Sequence, residues 1–201
     1  LDRRVLFQRG FPGPYPFGLD KTFSVMAWIG QHAKAGTPYA HIAHTGWFDV
    51  LDCTINGLSV GEFGELALLG AYFGVTPVFG SGDEAFAKEA SDLVKGIETV
   101  AVKQGLFPGS GDDFDCEGYR NRNIAAVHKH PEQARELIYA GVARAMQKFR
   151  QAKEPIQVPR ILPPYRMETF YRPNGGKPAR RTFREDKDDL IAMMNKPETP
   201  F

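Results

Sequence analysis

The pattern of apolar and polar positions predicts strands alternating with helices. Phe23 to Ile29 (FSVMAWI) is a short apolar run ended by Gly30, which reads as a buried strand. Trp47 to Val60 reads as a hairpin turning at Asn56-Gly57, a pair that accepts the positive φ of a type I′ turn. Glu62 to Phe73 is apolar and rich in small residues, predicting a buried helix closed by Gly74. Thr76 to Phe79 and Thr99 to Lys103 read as strands, and Ser81-Gly82-Asp83 opens a helix through Val94. Pro131 at a first helical position starts a helix to Ala152. Its apolar face is Ala134, Leu137, Ile138, Val142, Ala145, Met146 and Phe149.

The flanks are less regular. Residues 1–20 (with FPGPYPFG) form an irregular arm, and Pro155 to Pro164 a proline-rich connector. Strands are expected near Arg166–Tyr171 and Arg180–Phe183, then a helix from Asp186 to Met194. The alternation predicts an α/β fold, a layered sheet flanked by helices. Residues 1–154 form the principal unit. Residues 155–201 add strands and a helix to the same domain or an oligomer-contact extension.

Composition narrows the function classes. The 201 residues are 42% hydrophobic and 24% charged with net charge +1, a globular profile without a nucleic-acid or membrane bias. Arg160, Arg166, Arg172, Arg180, Arg181 and Arg184 make the tail basic, but Glu185, Asp186, Asp188 and Asp189 follow, so internal pairing or a subunit contact is expected. The longest apolar stretch, Leu66 to Phe79, is too short to cross a bilayer. No signal peptide is visible, and two cysteines, Cys53 and Cys116, are too few for a disulfide scaffold. A cytoplasmic enzyme is the expectation.

Candidate chemistry gathers in one stretch. His32 follows directly on a predicted strand, and strand ends are where α/β proteins place ligand groups. His41, His44 and Glu62 follow. Imidazole and carboxylate are ordinary zinc ligands, though the spacing is not HExxH, and histidines bonded to loop backbone would look the same. Asp113, Asp115 and Gly118 mimic the opening of a calcium loop. Its twelfth position is Ile124, so a solvated acidic loop is expected. Ser81-Gly82-Asp83 reads as a capping turn before an anion site, and Glu65 as a helix-surface carboxylate.

GQHAKAGTP, AHT, INGLSVGEFGE, GVTPVFGSGDEAFAKEA and TVAVKQGL, in that order, resemble the zinc-dependent D-aminopeptidase family of the dipeptide-transport operon. The resemblance is near-continuous from Val5 to Lys103, looser through Pro131–Gln147, and weak beyond. It implies a two-zinc centre that removes N-terminal D-residues from short peptides, inside a ring-like homo-oligomer. It carries two metal ligands onto His32 and Glu62. A further family histidine, thought to act in catalysis, falls on His44; His41 is the alternative, and the downstream register favours His44. Lys103 matches the family as well, as a candidate substrate-binding residue or a surface lysine at a strand end. The family's Asp-x-Glu strand and a further histidine have no counterpart before His32, and Asp2 and Asp20 do not match. Those ligands are expected from outside these residues, on a missing segment or a second polypeptide, leaving the strand at Ile29 with an open edge. The alternatives are a binding or scaffold protein that keeps the fold without catalysis, and an amidohydrolase acting on a non-peptide amide.

Overall fold

The structure, a computed structural model, describes residues 3–151 and 155–201. Two sheets divide the molecule. The first carries β1 (Val25–Gln31), β4 (Thr76–Asp83), β5 (Glu98–Gly105) and β6 (Ala126–His128) in the order β1-β4-β5-β6. The first three strands run parallel and β6 runs antiparallel to β5. The second sheet has the order β3-β2-β7-β8-β9, with β2 (Val50–Ile55), β3 (Leu58–Ser59), β7 (Tyr165–Tyr171), β8 (Arg180–Asp186) and β9 (Thr199–Pro200), all antiparallel. Residues beyond 155 thus extend the sheet that β2 begins.

Local chemistry explains the elements. Asn56 and Gly57 both take positive φ, 49° and 80°, so β2 and β3 join in the tight turn their pairing requires. Helix α1 (Glu62–Phe73) spans the predicted residues and is closed by Gly74 in the left-handed region. Helix α2 (Glu84–Leu93) is capped by Asp83, whose carboxylate accepts from the Phe86 amide. Ser81 and Gly82, expected in that helix's opening turn, instead lengthen β4. Helix α4 (Pro131–Gln151) begins at Pro131 as predicted; Ala152 and the expected boundary at 154 lie outside the described residues, as does Asp2. The last predicted helix is shorter, α5 (Leu190–Asn195), because Asp189 caps it and Asp186 ends β8.

Between β1 and β4 lies α1, and its Phe63 is the hub of the core. Phe63 meets Trp28 of β1 edge-on at 4.7 Å and Phe86 of α2 at 5.3 Å. Such aromatic pairs contribute about 0.5–1.5 kcal/mol each beyond burial. On the other face of the first sheet, α4 packs Ile138, Val142, Ala145, Met146 and Phe149 against Phe79 and Val100. The predicted face is right except at Leu137, which is exposed.

Three expectations change. The first strand is not buried throughout, since Ile29 is 61% exposed; it does keep the open edge expected of it, since among the described residues β1 pairs only with β4. The acidic segment near Asp113 is not a loop throughout. Asp115 accepts from the Gly118 amide and caps α3 (Cys116–Arg122), which β6 follows. Glu65 is not on the open surface; it is partly buried and faces a cleft. The arginines of the tail pair within the fold, Arg166 with Glu168 and Glu185, Arg181 with Glu168, and Arg184 with Glu198. Arg172 is fully buried over the Tyr119 ring. No described helix is long and apolar enough to cross a membrane.

Candidate metal centre

The site forms where the end of β1 meets the start of α1. Gly61, just before α1, has no room for a side chain: a Cβ there would lie 2.6 Å from Lys34 Cβ. That contact brings α1 against the segment after His32, and Glu62 is thereby carried beside the imidazole. Gly82 is held as tightly, since its Cβ would lie 1.9 Å from the Gln31 carbonyl oxygen. The loop after β1 is pinned along its length. Tyr39 donates to the Phe107 carbonyl at 2.8 Å, Ile42 to the Asn123 carbonyl at 2.7 Å, and Ala35 to Thr45 Oγ1 at 3.2 Å. An irregular segment is thus preorganised by contacts far away in the chain.

Three predicted residues come together. His32 Nε2 lies 3.4 Å from Glu62 Oε2, and His44 Nε2 lies 3.6 Å from Glu62 Oε1. The two rings stack with centroids 4.0 Å apart. Behind them, His32 Nδ1 meets the Ala33 carbonyl at 3.0 Å and His44 Nδ1 meets the Ile42 carbonyl at 2.7 Å. A carbonyl only accepts, so both Nδ1 atoms carry hydrogen. In the neutral rings, both Nε2 lone pairs then point at one carboxylate. That is a repulsive arrangement unless a cation lies between. Among the described residues, this is the one group of three or more His, Cys, Asp or Glu ligand atoms close enough to share a metal ion. The donor set, two imidazoles and a carboxylate, suits zinc.

The electrostatics agree. Burial disfavours charge on His32, but the Glu62 carboxylate and the Ala33 carbonyl outweigh it and raise its pKa. Burial lowers the pKa of His44 despite the Ile42 carbonyl. Burial also works against the Glu62 charge, yet His32, His44 and the Gly46 amide hold its pKa near about 2. In the zinc-free protein the raised His32 pKa and the lowered Glu62 pKa both favour a charged pair.

His41 is elsewhere. Its amide donates to Asp83 Oδ2 at 3.0 Å and its ring turns to His128. Lys103 lies near the end of β5, two residues before Gly105 and two strands from His32.

Sequence reasoning missed the cavity beside Glu62. It measures about 700 Å³, and Phe11, Tyr15, Phe17, Trp47, Glu62 and Glu65 are among its walls. The arm supplies three of these, anchored where Asn195 exchanges hydrogen bonds with the Tyr15 backbone at 2.9 and 2.8 Å. Tyr15 donates to Glu65 at 3.3 Å. Burial, then the Glu62 charge, raises the Glu65 pKa to about 7. The signal was present: Glu62 and Glu65 stand three apart on one helix, hence on one face.

The fold is a two-sheet α/β arrangement with a candidate metal site at the junction of β1 and α1. The sequence profile of the D-aminopeptidase peptidase family matches residues 1–174, and the chain belongs to that family. Over 89 residues it is 40% identical to a D-aminopeptidase of Bacillus subtilis (strain 168), covering 44% of this chain and 32% of that protein. It is similar in fold to the solved Zn-dependent D-aminopeptidase DppA from Bacillus subtilis, described as a self-compartmentalizing protease. The TM-score is 0.70 at 23% identity, over 89% of this chain and 62% of that one. The chain thus spans less than two thirds of the length of either relative.

Proposed function

We propose that this chain carries the central part of a zinc site with which a D-aminopeptidase removes N-terminal D-residues from short peptides. The observation behind this reading is the pair of imidazole lone pairs aimed at one carboxylate. His32 and Glu62 would hold metal. His44 would handle a proton: its ring is fixed by the Ile42 carbonyl, and its lowered pKa keeps Nε2 free to accept near neutrality. Zinc, when bound, polarises the scissile carbonyl and activates water. The cavity beside Glu62 would take the peptide, with the aromatic arm against it, and Lys103 would contact substrate.

Two zinc ions, the number the family resemblance suggests, need more ligands than these. We place the remaining acids and histidine on residues outside this sequence, lying along the open edge of β1. Exposed Ile29 and Tyr139 form an apolar strip beside that edge, suited to a completing polypeptide or a further copy in a homo-oligomer. Both cysteines are free and buried, in keeping with a reducing, cytoplasmic setting.

The test pairs zinc titration with product analysis. The chain should bind zinc through His32 and Glu62, and its assembled form should release D-alanine from D-Ala-D-Ala but no L-alanine from L-Ala-L-Ala. Zinc bound without D-alanine release would instead favour a scaffold. Faster cleavage of simple amides would favour a non-peptide amidohydrolase.

A further inference from the structure

A second group of imidazoles lies on the same sheet edge, and it has the opposite character. Strand register places Gln31 of β1 beside Gly82, Asp83 of β4 beside Lys103, and Lys103 beside His128 of β6. His32, Asp83, Lys103 and His128 therefore stand in a row across the strand ends. His41 reaches over this row, its ring 5.2 Å from that of His128. A pocket of about 320 Å³ opens here, with Lys103, Gln104, His128, Lys129 and Glu84 on its walls.

Polar atoms in this pocket and beside it, on Lys103 and His41, lack partners among the described residues. Lys103 is half-buried, and burial lowers its pKa, yet among the described residues its Nζ makes no hydrogen bond and no ion pair. Lys34, Lys88, Lys148 and Lys196 all find partners. His41 Nδ1 is buried without a hydrogen-bond partner among the described residues. The nearest buried acid, Asp83, is already engaged: Oδ1 accepts from the Phe86 amide and Oδ2 from the His41 amide. Glu84 is the only carboxylate on the pocket wall. An anion would satisfy the Lys103 ammonium, and His41 Nδ1 as well in the tautomer that carries hydrogen there.

The cavity on the other side of the His32–Glu62 cluster is acidic. Asp49, Glu62, Glu65 and Glu198 line it, and its one arginine, Arg184, is bridged to Glu198 at 3.3 Å. A metal-type site between an acidic pocket and a cationic one matches a zwitterion, with its ammonium on one side and its carboxylate on the other. The end of β1 and the end of β5 are two strand spacings apart, about 10 Å. An extended peptide covers that span in about three residues.

We propose that Lys103, with His41 and His128, is the subsite for the C-terminal carboxylate of a short peptide, so that the protein selects peptides of about two or three residues with a free carboxyl end. The identity of the ligand rests on the peptidase reading; the affinity for a carboxylate does not.

The test is binding to the zinc-free full chain, followed by NMR of the histidine rings. The probes are N-acetyl-D-alanyl-D-alanine and its C-terminal amide, which differ only at the carboxyl end. The acid should shift the His41 and His128 signals and bind at least about tenfold more tightly than the amide. Lys103→Met should erase that difference while Lys103→Arg keeps most of it, and His128→Gln should weaken acid binding alone. Equal binding of acid and amide, or binding of neither, overturns the subsite. Carboxylate preference without D-Ala-D-Ala hydrolysis by the zinc-loaded assembly would retain the subsite and remove the peptidase reading. Hydrolysis without carboxylate preference would do the reverse.

Discussion

His32 and His44 stack at 4.0 Å in front of a carboxylate; His41 and His128 meet edge-on at 5.2 Å in front of a lysine. The same side chain is prepared for two kinds of partner. In the first pair, a backbone carbonyl behind each ring takes the Nδ1 hydrogen and turns Nε2 into an acceptor facing Glu62. In the second pair, His41 Nδ1 has no partner among the described residues, and the nearby charge is the cation of Lys103, which helps to lower the His41 pKa after burial has done so. An imidazole's role is set by what stands behind and beside it, not by its presence in a loop rich in histidine.

Removing the carboxylate should break the contrast most severely. Glu62→Gln should weaken zinc binding by more than about 100-fold, beyond the range typical of outer-shell partners, in a competition titration against a zinc-binding dye. Zinc affinity unchanged in this variant would mean the metal site lies elsewhere.

Next come the histidines themselves. His32→Asn removes a ligand and should cost about as much zinc affinity as Glu62→Gln, His44→Asn beside the ligands should cost about 10–100-fold, and His41→Asn should leave affinity within about twofold. Equal losses at His41 and His44 would merge the two pairs into one site.

The backbone contacts that hold the pairs apart can be challenged through folding. Gly82→Ala forces a methyl group into the Gln31 carbonyl, and Gly61→Ala forces one onto Lys34. Each should lower the unfolding free energy by about 1–3 kcal/mol in urea titrations, Gly82→Ala more than Gly61→Ala because its approach, 1.9 Å against 2.6 Å, is the closer. Full stability in Gly82→Ala would show that β1 and β4 are not in such close contact.

The smallest effect is a pH signature of the zinc-free protein. The His32 pKa is raised above 6.5, so its contribution to stability is complete below 6.5 and is lost as pH rises through the raised value. The Glu62 pKa is lowered from 4.5 to about 2, so its contribution is complete above 4.5 and is lost as pH falls toward 2. The pair therefore contributes fully between pH 4.5 and 6.5. The melting-temperature advantage of the wild type over His32→Gln should peak in that window. The corresponding difference for His41→Gln should show no such peak.

Much of the fold was legible because it is local. The extent of α1 follows from an apolar run between Val60-Gly61 and Gly74, and the β2–β3 turn from Asn56-Gly57. Helix α3 was misread because Asp113, Asp115 and Gly118 imitate a calcium loop, while Asp115 in fact caps a helix. Strand β6 has three residues and owes its form to pairing with β5, which no local pattern announces. Glu65 was taken for a surface residue because the arm that lines the cavity with it lies about fifty residues earlier in the chain.

The sequence by itself determined the kinds of element, their approximate limits, and that a histidine follows one strand while a glutamate opens the next helix. Periodicity, capping and turn chemistry act over a few residues, so they can be read in order along the chain. Register along the chain already favoured His44 over His41 and anticipated an open edge at the first strand; only the tertiary structure decided that both imidazoles meet one Glu62 carboxylate and that Lys103 stands beside His128. Those outcomes depend on strand register and on loop anchors at Asp83, Phe107 and Asn123, which come from distant parts of the chain. Their free energy exists only once the sheet has formed and brought its partners within hydrogen-bonding range.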